Sequence, residues 1–290
     1  MAEITAALVK ELREKTGAGM LDCKKALSEA DGDLDGAIEY LRKKGLAAAA
    51  KKADRIAAEG TVAAIVKDGV GVIIEVNSET DFVAKNENFT AYAAEMAELV
   101  ATANPADIDA FMAVTAKNGE TVEAYLNSMV AKIGEKLSIR RFARLDGGTV
   151  ATYIHGGGKI GVVVKLEGGS TELAKDICLH IAASNPKYLD SSFVDAVFVE
   201  KEKEIYTAKL QEQGKPENMI PKIVEGQVAK LLKEVCLVSQ PFVKDPDTTI
   251  EKLVAANGAK IVTYTRFELG EGIEKKQENF VEEVMKQIQK

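Results

Sequence analysis

Two stretches decide the fold: Gly60-Thr-Val-Ala-Ala-Ile-Val-Lys-Asp-Gly-Val-Gly-Val-Ile-Ile-Glu-Val76 and Gly148-Thr-Val-Ala-Thr-Tyr-Ile-His-Gly-Gly-Gly-Lys-Ile-Gly-Val-Val-Val164. Each is an apolar, β-branched run, a glycine-containing break and a second such run, which is the pattern of a β-hairpin. The opening Gly-Thr-Val-Ala recurs 88 residues on (60 to 148), and the return strands lie 90 apart (70 to 160), so the second hairpin loop is two residues longer. A helical stripe follows each hairpin, over 87–103 and 171–184. Each copy then opens a further segment, Thr121-Val-Glu123 or Thr249-Ile-Glu251, and closes on a strand, Ile139–Phe142 or Thr263–Phe267. The pattern predicts an α+β fold with a duplicated core of small antiparallel sheets backed by helices, 60–147 and 148–269.

Outward from that core, residues 1–45 predict three short helices. Ile4, Leu8 and Leu12 recur at helical spacing; Cys23, Ala26 and Leu27 mark a second helix; Leu34, Ala37, Ile38 and Leu41 mark a third after the Asp31-Gly32-Asp33 turn. So small a domain has a thin core. Met20 and Leu21 follow a flexible turn, and two readings stand: an exposed contact surface, or a lid on the core. Residues 46–59 (LAAAAKKADRIAAE) suit a helical or mobile linker. The cluster Lys43, Lys44, Lys51, Lys52 and Arg55 in and just before it would suit a phosphate backbone, although a solvated face is the commoner meaning. Two helical patterns, 195–213 and 217–237, interrupt the second repeat and predict an inserted antiparallel helical hairpin, with Pro221 tolerable in a first turn. Residues 270–290 predict a C-terminal helix with Phe280, Val281, Val284, Met285 and Ile288 in phase.

Composition narrows the chemistry. The chain has 290 residues, no Trp, and 38 basic against 45 acidic residues; the net charge of −7 speaks against a protein that lives on nucleic acid. Cys23, Cys178 and Cys236 form no CxxC pair and sit in apolar helical patterns, the reading being buried free thiols. No stretch approaches the length and apolarity of a membrane span, and the N-terminus lacks a signal-peptide core, so a cytoplasmic protein is expected. Of the two histidines, His180 lies in an apolar helix and reads as a satisfied core residue. His155-Gly-Gly-Gly-Lys159 invites an esterase oxyanion loop or a phosphate cradle. But no G-x-S-x-G elbow exists, GxxxxGK[ST] is absent, and a strand follows Lys159, which leaves a glycine-rich hairpin turn. Metal-ligand spacing is absent too. No enzyme activity, cofactor or metal is expected.

One seam resists this reading. After the strand ending near Val76, Asp81 and Phe82 stand where the chain should turn in water. Phe82 lies seven residues before Phe89, in phase with the stripe Phe89, Tyr92/Ala93, Met96, Val100; yet Lys85 and Asn86 break that stripe. Residues alone favour burial of Phe82, with Thr80 or Asp81 as a helix cap. The alternative starts the long helix near Asn86 and leaves Thr80–Val83 as a separate turn.

Thr80-Asp-Phe-Val-Ala-Lys-Asn86 resembles the signature of bacterial translation elongation factor Ts, and Leu12-Arg-Glu-Lys-Thr-Gly-Ala-Gly-Met-Leu-Asp-Cys-Lys-Lys-Ala26 is similarly specific. His155-Gly-Gly-Gly-Lys-Ile-Gly-Val162 and Gly270-Glu-Gly-Ile-Glu-Lys275 resemble two further family segments, so the likeness spans the chain in order. Departures are slight: Leu21 where some relatives have a second methionine, and Lys159 where some have arginine. The hairpin resembles the longer-chain branch. The resemblance implies a guanine-nucleotide exchange factor for elongation factor Tu, binding its GTPase domain and a second domain, without itself binding nucleotide or a membrane. A higher-order complex is also compatible. It implies a ubiquitin-associated-like head with Arg13, Met20 and Leu21 as contacts. It further implies a turn, Thr80, Asp81, Phe82 and Val83, that disturbs the partner's Mg²⁺ site; His155 facing another partner domain; and a C-terminal module on the GTPase domain. The rival class is an RNA- or ribosome-binding accessory protein using the basic linker, which would show steep salt dependence.

Overall fold

The computed structural model describes residues 4–274. The expected helix through Phe280–Ile288 lies outside them. Two compact units emerge: one holds the chain up to Ala63, Ile74–Phe142 and the segment from Glu268, the other Ala64–Ile73 and Ala143–Phe267.

The first unit begins with α1 (Ala6–Thr16), α2 (Met20–Glu29) and α3 (Leu34–Ala50). Local chemistry sets their ends. Thr5 accepts the Leu8 N–H at 3.3 Å, Gly17 closes α1 at φ 63°, and Asp33 accepts the Gly36 N–H at 2.7 Å. Leu12, Cys23, Ala26, Leu27 and Ala37 make the buried core of this bundle. β1 (Glu59–Lys67) and β2 (Val70–Ser78) follow, joined by Asp68 and Gly69 at φ 51° and 77°, as a two-residue primed hairpin turn requires. Then come α4 (Asp81–Ala84), α5 (Glu87–Ala103), α6 (Ile108–Met112), α7 (Val122–Ile133) and β3 (Ser138–Asp146), in a sheet ordered β1-β2-β3. Phe89, Tyr92, Met96 and Val100 on α5 are fully buried.

Helix α3 continues five residues into the Ala-rich stretch read as a linker, and packs along α7. Gly45 lies at that contact, where a Cβ would stand 3.5 Å from the Asn127 carbonyl oxygen, an ordinary contact distance. Arg42 reaches Glu120 at 3.6 Å on the same side. The following stretch is tied as well, because Lys136 Nζ donates to the carbonyls of Ala53 (2.6 Å) and Arg55 (2.8 Å).

The second unit carries β4 (Thr149–His155) and β5 (Ile160–Glu167), antiparallel with His155 opposite Ile160 and a four-residue loop between. α8 (Thr171–Ser184), a 3₁₀ turn at Ser191–Phe193, α9 (Ala196–Glu212) and α10 (Ile220–Val235) follow. The chain then returns through β6 (Pro241–Phe242), β7 (Asp245–Thr249), α11 (Ile250–Ala256) and β8 (Lys260–Glu268), giving a sheet ordered β4-β5-β8. Val162, Val164, Leu166, Ile177, Ile181, Leu237 and Ile250 are fully buried between this sheet and its helices. Gly71, at the hairpin end assigned to this unit, is a packing necessity, since a Cβ there would lie 2.4 Å from Val150 Cγ1.

His180 is a satisfied core residue. Its Nδ1 accepts the Val243 N–H at 3.3 Å, so Nε2 carries the proton and meets Gln240 Oε1 at 2.9 Å. Burial lowers its pKa, against the opposing Gln240 bond, and holds it neutral. The three cysteines are free and buried, and burial pushes the Cys178 thiol up to about 12. Among the described residues no helix is long and apolar enough to cross a membrane.

Helices α9 and α10 pack on each other around Leu210, Ile220, Val224 and Val228, a small core of their own, with Pro221 in the first turn of α10. The base is tied to the unit: Val235 C=O accepts from Lys187 and Tyr188 N–H at 2.9 and 3.1 Å, and Glu234 C=O from Gln240 Nε2 at 2.6 Å. Replacing 199–233 with a short Gly/Ser linker keeps those base contacts. It is expected to preserve a cooperative melt, displaced by no more than about 4 °C, the order of shift that about 1 kcal/mol produces in a chain of this size. Loss of cooperativity in a thermal melt would show that the arm supports the unit's core.

Candidate functional site

Phe82 is 82% exposed, the most open aromatic among the described large apolar residues, while Phe89 is fully buried. This corrects the burial that residue spacing favours. The polar pair explains it: Lys85 ends the one-turn helix α4, and Asn86, extended at φ −71° and ψ 131°, caps α5 by accepting the Asn88 N–H at 2.9 Å. A chain re-aimed between Phe82 and Phe89 does not keep one face, so the seven-residue spacing loses its meaning. Asp81 is exposed beside Phe82, and Val83 and Thr80 are half-buried. Asp81 meets Lys85 Nζ at 2.7 Å, and that hydrogen bond holds its carboxyl below the usual range.

The backbone of this turn is held by carboxylates. Glu135 Oε2 accepts the N–H of Glu79 (3.1 Å) and of Thr80 (3.0 Å), while its Oε1 accepts the Thr80 hydroxyl at 2.7 Å. Thr80 Oγ1 in turn caps α4 by accepting the Val83 N–H at 3.3 Å. In the opposite sense, Glu79 Oε1 accepts the Lys136 N–H at 2.5 Å and an Arg55 Nη1 bond at 3.2 Å. Gly134, left-handed at φ 86°, ends α7 and delivers Glu135 and Lys136 to this position.

Four residues upstream, Glu75 is fully buried in β2. Its carboxylate takes Arg140 Nη1 at 3.0 Å, Arg141 Nε at 2.6 Å, Asn77 Nδ2 at 3.1 Å and the Gly270 N–H at 2.9 Å. Burial acts to raise its pKa. The bonds from Gly270, Arg141, Asn77 and Arg140 outweigh that and hold the group below the ordinary carboxylate value. Arg141 also donates to the Glu268 carbonyl at 3.0 Å, and Arg140 to that of Glu271. The segment leaving β8 is thus fixed to the strand that leads into the Phe82 turn.

In the helical head, Arg13, Met20 and Leu21 line one open groove with Ile4, Val9 and Lys24. Met20 is 61% and Leu21 84% exposed, because the α2 face carrying Cys23, Ala26 and Leu27 takes the core. Of the two readings of Met20–Leu21, exposure is the one observed. His155 stands in the second unit, exposed at the end of β4, its Nδ1 3.2 Å from the Tyr153 hydroxyl. The adjoining Gly156, Gly157 and Gly158 all take positive φ, as a glycine hairpin loop does. Arg13, Met20 and Leu21 therefore share a groove and Thr80–Val83 share a turn, while His155 is apart in sequence and unit. In the basic stretch, Lys43 pairs with Glu39 at 2.7 Å, Lys44 with Asp22, and Arg55 with Glu79 at 3.2 Å. Glu75, Glu79, Glu135, Arg140 and Arg141 are the residues that sequence reading missed. The one available signal was a charge, Glu75, inside an otherwise apolar strand.

The family model described as Elongation factor TS matches residues 79–271, from the first residue of the Phe82 turn to the segment held by Arg140 and Arg141. A protein named elongation factor Ts from Thioalkalivibrio sulfidiphilus (strain HL-EbGR7) is 53% identical over 289 residues, covering 98% of each chain. The likeness to that relative runs through the turn, both three-stranded sheets and the helical arm together. The chain belongs to the elongation factor Ts family, whose members serve translation elongation.

Proposed function

We propose that this chain is a guanine-nucleotide exchange factor that binds elongation factor Tu and promotes GDP release by disturbing the partner's Mg²⁺ and nucleotide site. Family membership supports the partner, and the exposed Phe82 on a braced turn is the observation that carries the mechanism. A GTPase holds its nucleotide partly through Mg²⁺ that bridges the phosphates and the protein. A factor that binds the nucleotide-free state better weakens nucleotide by the same factor, because coupling is reciprocal. Such a factor breaks no covalent bond and needs no active site. An apolar wedge whose burial is realised only when nucleotide leaves is sufficient, and Asp81 adds a carboxylate at the same tip.

The other parts take anchoring roles in this reading. The three-helix head is a ubiquitin-associated-like module that docks through Arg13, Met20 and Leu21 on the GTPase domain. The two strand–helix repeats form a duplicated core, from which His155 faces a second partner domain. The α9–α10 arm is an insertion in the second repeat. Three of the five basic residues of the RNA-binding alternative, Lys43, Lys44 and Arg55, pair with carboxylates, which weighs against it. Release of labelled GDP from purified elongation factor Tu tests the function: adding this chain is expected to accelerate release, and an unchanged rate would contradict it.

A further inference from the structure

Phe82 is so exposed that few contacts of its own side chain can fix where it points; the backbone beneath it must do that. Two carboxylates separated by 56 residues in sequence exchange backbone bonds there: Glu135 takes the N–H groups of Glu79 and Thr80, and Glu79 takes the N–H of Lys136. The exchange is extended on both sides. Glu135 also holds the Thr80 hydroxyl (2.7 Å), Thr80 Oγ1 holds the Val83 N–H (3.3 Å), and Ser78 Oγ donates to the Thr80 carbonyl (3.0 Å). Arg55 bonds Glu79 at 3.2 Å, while Lys136 Nζ is bound to the carbonyls of Ala53 and Arg55. The bonds that end on Glu135 and Glu79 come from backbone N–H groups, the Thr80 hydroxyl and the Arg55 guanidinium, and bonds of these kinds to a carboxylate are the stronger ones.

We propose that Glu135, with Glu79 as its reciprocal partner, is a positioning residue for nucleotide exchange: the pair pre-orders the turn so that Phe82 meets the partner already in its inserting geometry. This rests on the wedge reading of Phe82 and adds the device that makes the wedge effective. A loop ordered only on docking loses backbone entropy at that step, and the loss is subtracted from whatever burial of Phe82 supplies. A loop ordered beforehand does not. Glutamine is a poor probe of this brace, because its Oε1 can take both N–H groups as Oε2 now does while its Nε2 donates to the Thr80 hydroxyl oxygen; a side chain with no acceptor takes none of the three bonds.

The test is a double-mutant cycle on stimulated GDP release from elongation factor Tu. Glu135→Ala is expected to slow release about 10-fold when Phe82 is present, and to add less than roughly 2-fold in a Phe82→Ala background, where no wedge remains to be aimed. Glu135→Met, which keeps the side-chain length and can take none of the three bonds, gives the same reading should the alanine variant fold poorly. Equal slowing in both backgrounds would mark Glu135 as a structural support and overturn the proposal. Full rate in Glu135→Ala beside a slow Phe82→Ala would overturn the clamp while leaving the wedge standing. Full rate in Phe82→Ala alone would remove the wedge, and the clamp's role with it.

Discussion

Phe82→Ala is expected to slow stimulated GDP release by about 10- to 150-fold while its melting temperature stays within about 4 °C of the parent. Burying a phenylalanine side chain contributes roughly 1.5–3 kcal/mol, and each 1.4 kcal/mol is a factor of ten. With Phe82 82% exposed, removing the ring costs the folded chain little. What is lost is burial that the partner supplies. Phe89, seven residues on and fully buried, is the control. Phe89→Ala leaves a cavity in the α5 core and is expected to cost about 3–5 kcal/mol of stability. The pair separates a wedge from a core residue by measuring rate and melt together. A large drop in melting temperature for Phe82→Ala would place the ring in a core instead.

Glu75→Ala is expected to destabilise the chain by about 3–5 kcal/mol, read as a shift in the urea midpoint. Two guanidinium groups, the Asn77 amide and the Gly270 N–H converge on one carboxylate that is fully buried. Removing it leaves the Arg140 Nη1 and Arg141 Nε donors facing a methyl group, although Arg141 keeps the Glu271 carboxylate at 3.1 Å. It also releases the bond that fixes Gly270, so the segment leaving β8 loses its attachment to β2. The acid limb of stability carries the same signature. The folded pKa of Glu75 is depressed, so its contribution is complete above the unfolded value of about 4.3 and is lost as pH falls through the lower folded value. Below pH about 4.3 the Glu75→Ala protein is therefore expected to lose stability less steeply than the parent. An unchanged midpoint would mean that water or a neighbour satisfies these donors without Glu75.

Much of the secondary structure is legible in the sequence because it is written in local periodicity. The stripe over Phe89, Tyr92, Met96 and Val100 is α5, and the turn residues Asp68-Gly69 and Gly156-Gly-Gly-Lys159 close the two hairpins, the second by two residues more. The insertion is legible for the same reason, as two helical patterns around a Gly-Lys-Pro break. Placement is where the reading thins. Residues 46–50 are alanine-rich, and a run of small residues names no face, so the docking of α3 on α7 leaves no periodic trace. Phe82 is misjudged by spacing because a cap at Asn86 resets the helical phase, and phase arguments assume one uninterrupted helix. The Glu79–Glu135 exchange is invisible because bonds from side chains to distant backbone follow no period at all. Exposed charged residues look alike in sequence, whether they are solvated or cross-link two loops.

The central claim is a coupling, and the most direct measurement of it is an affinity ratio. Binding of this chain is titrated against elongation factor Tu in its nucleotide-free and GDP-bound forms, for the parent and for Phe82→Ala. The account predicts that the parent prefers the nucleotide-free form, and that Phe82→Ala reduces this preference by about 10- to 150-fold, with the affinity of the complex for GDP rising by the same factor, as reciprocity of binding requires when the lost burial belongs to the nucleotide-free complex. A Phe82→Ala protein that binds both forms more weakly by one common factor, leaving the ratio intact, would show Phe82 to be an anchor and would contradict the account.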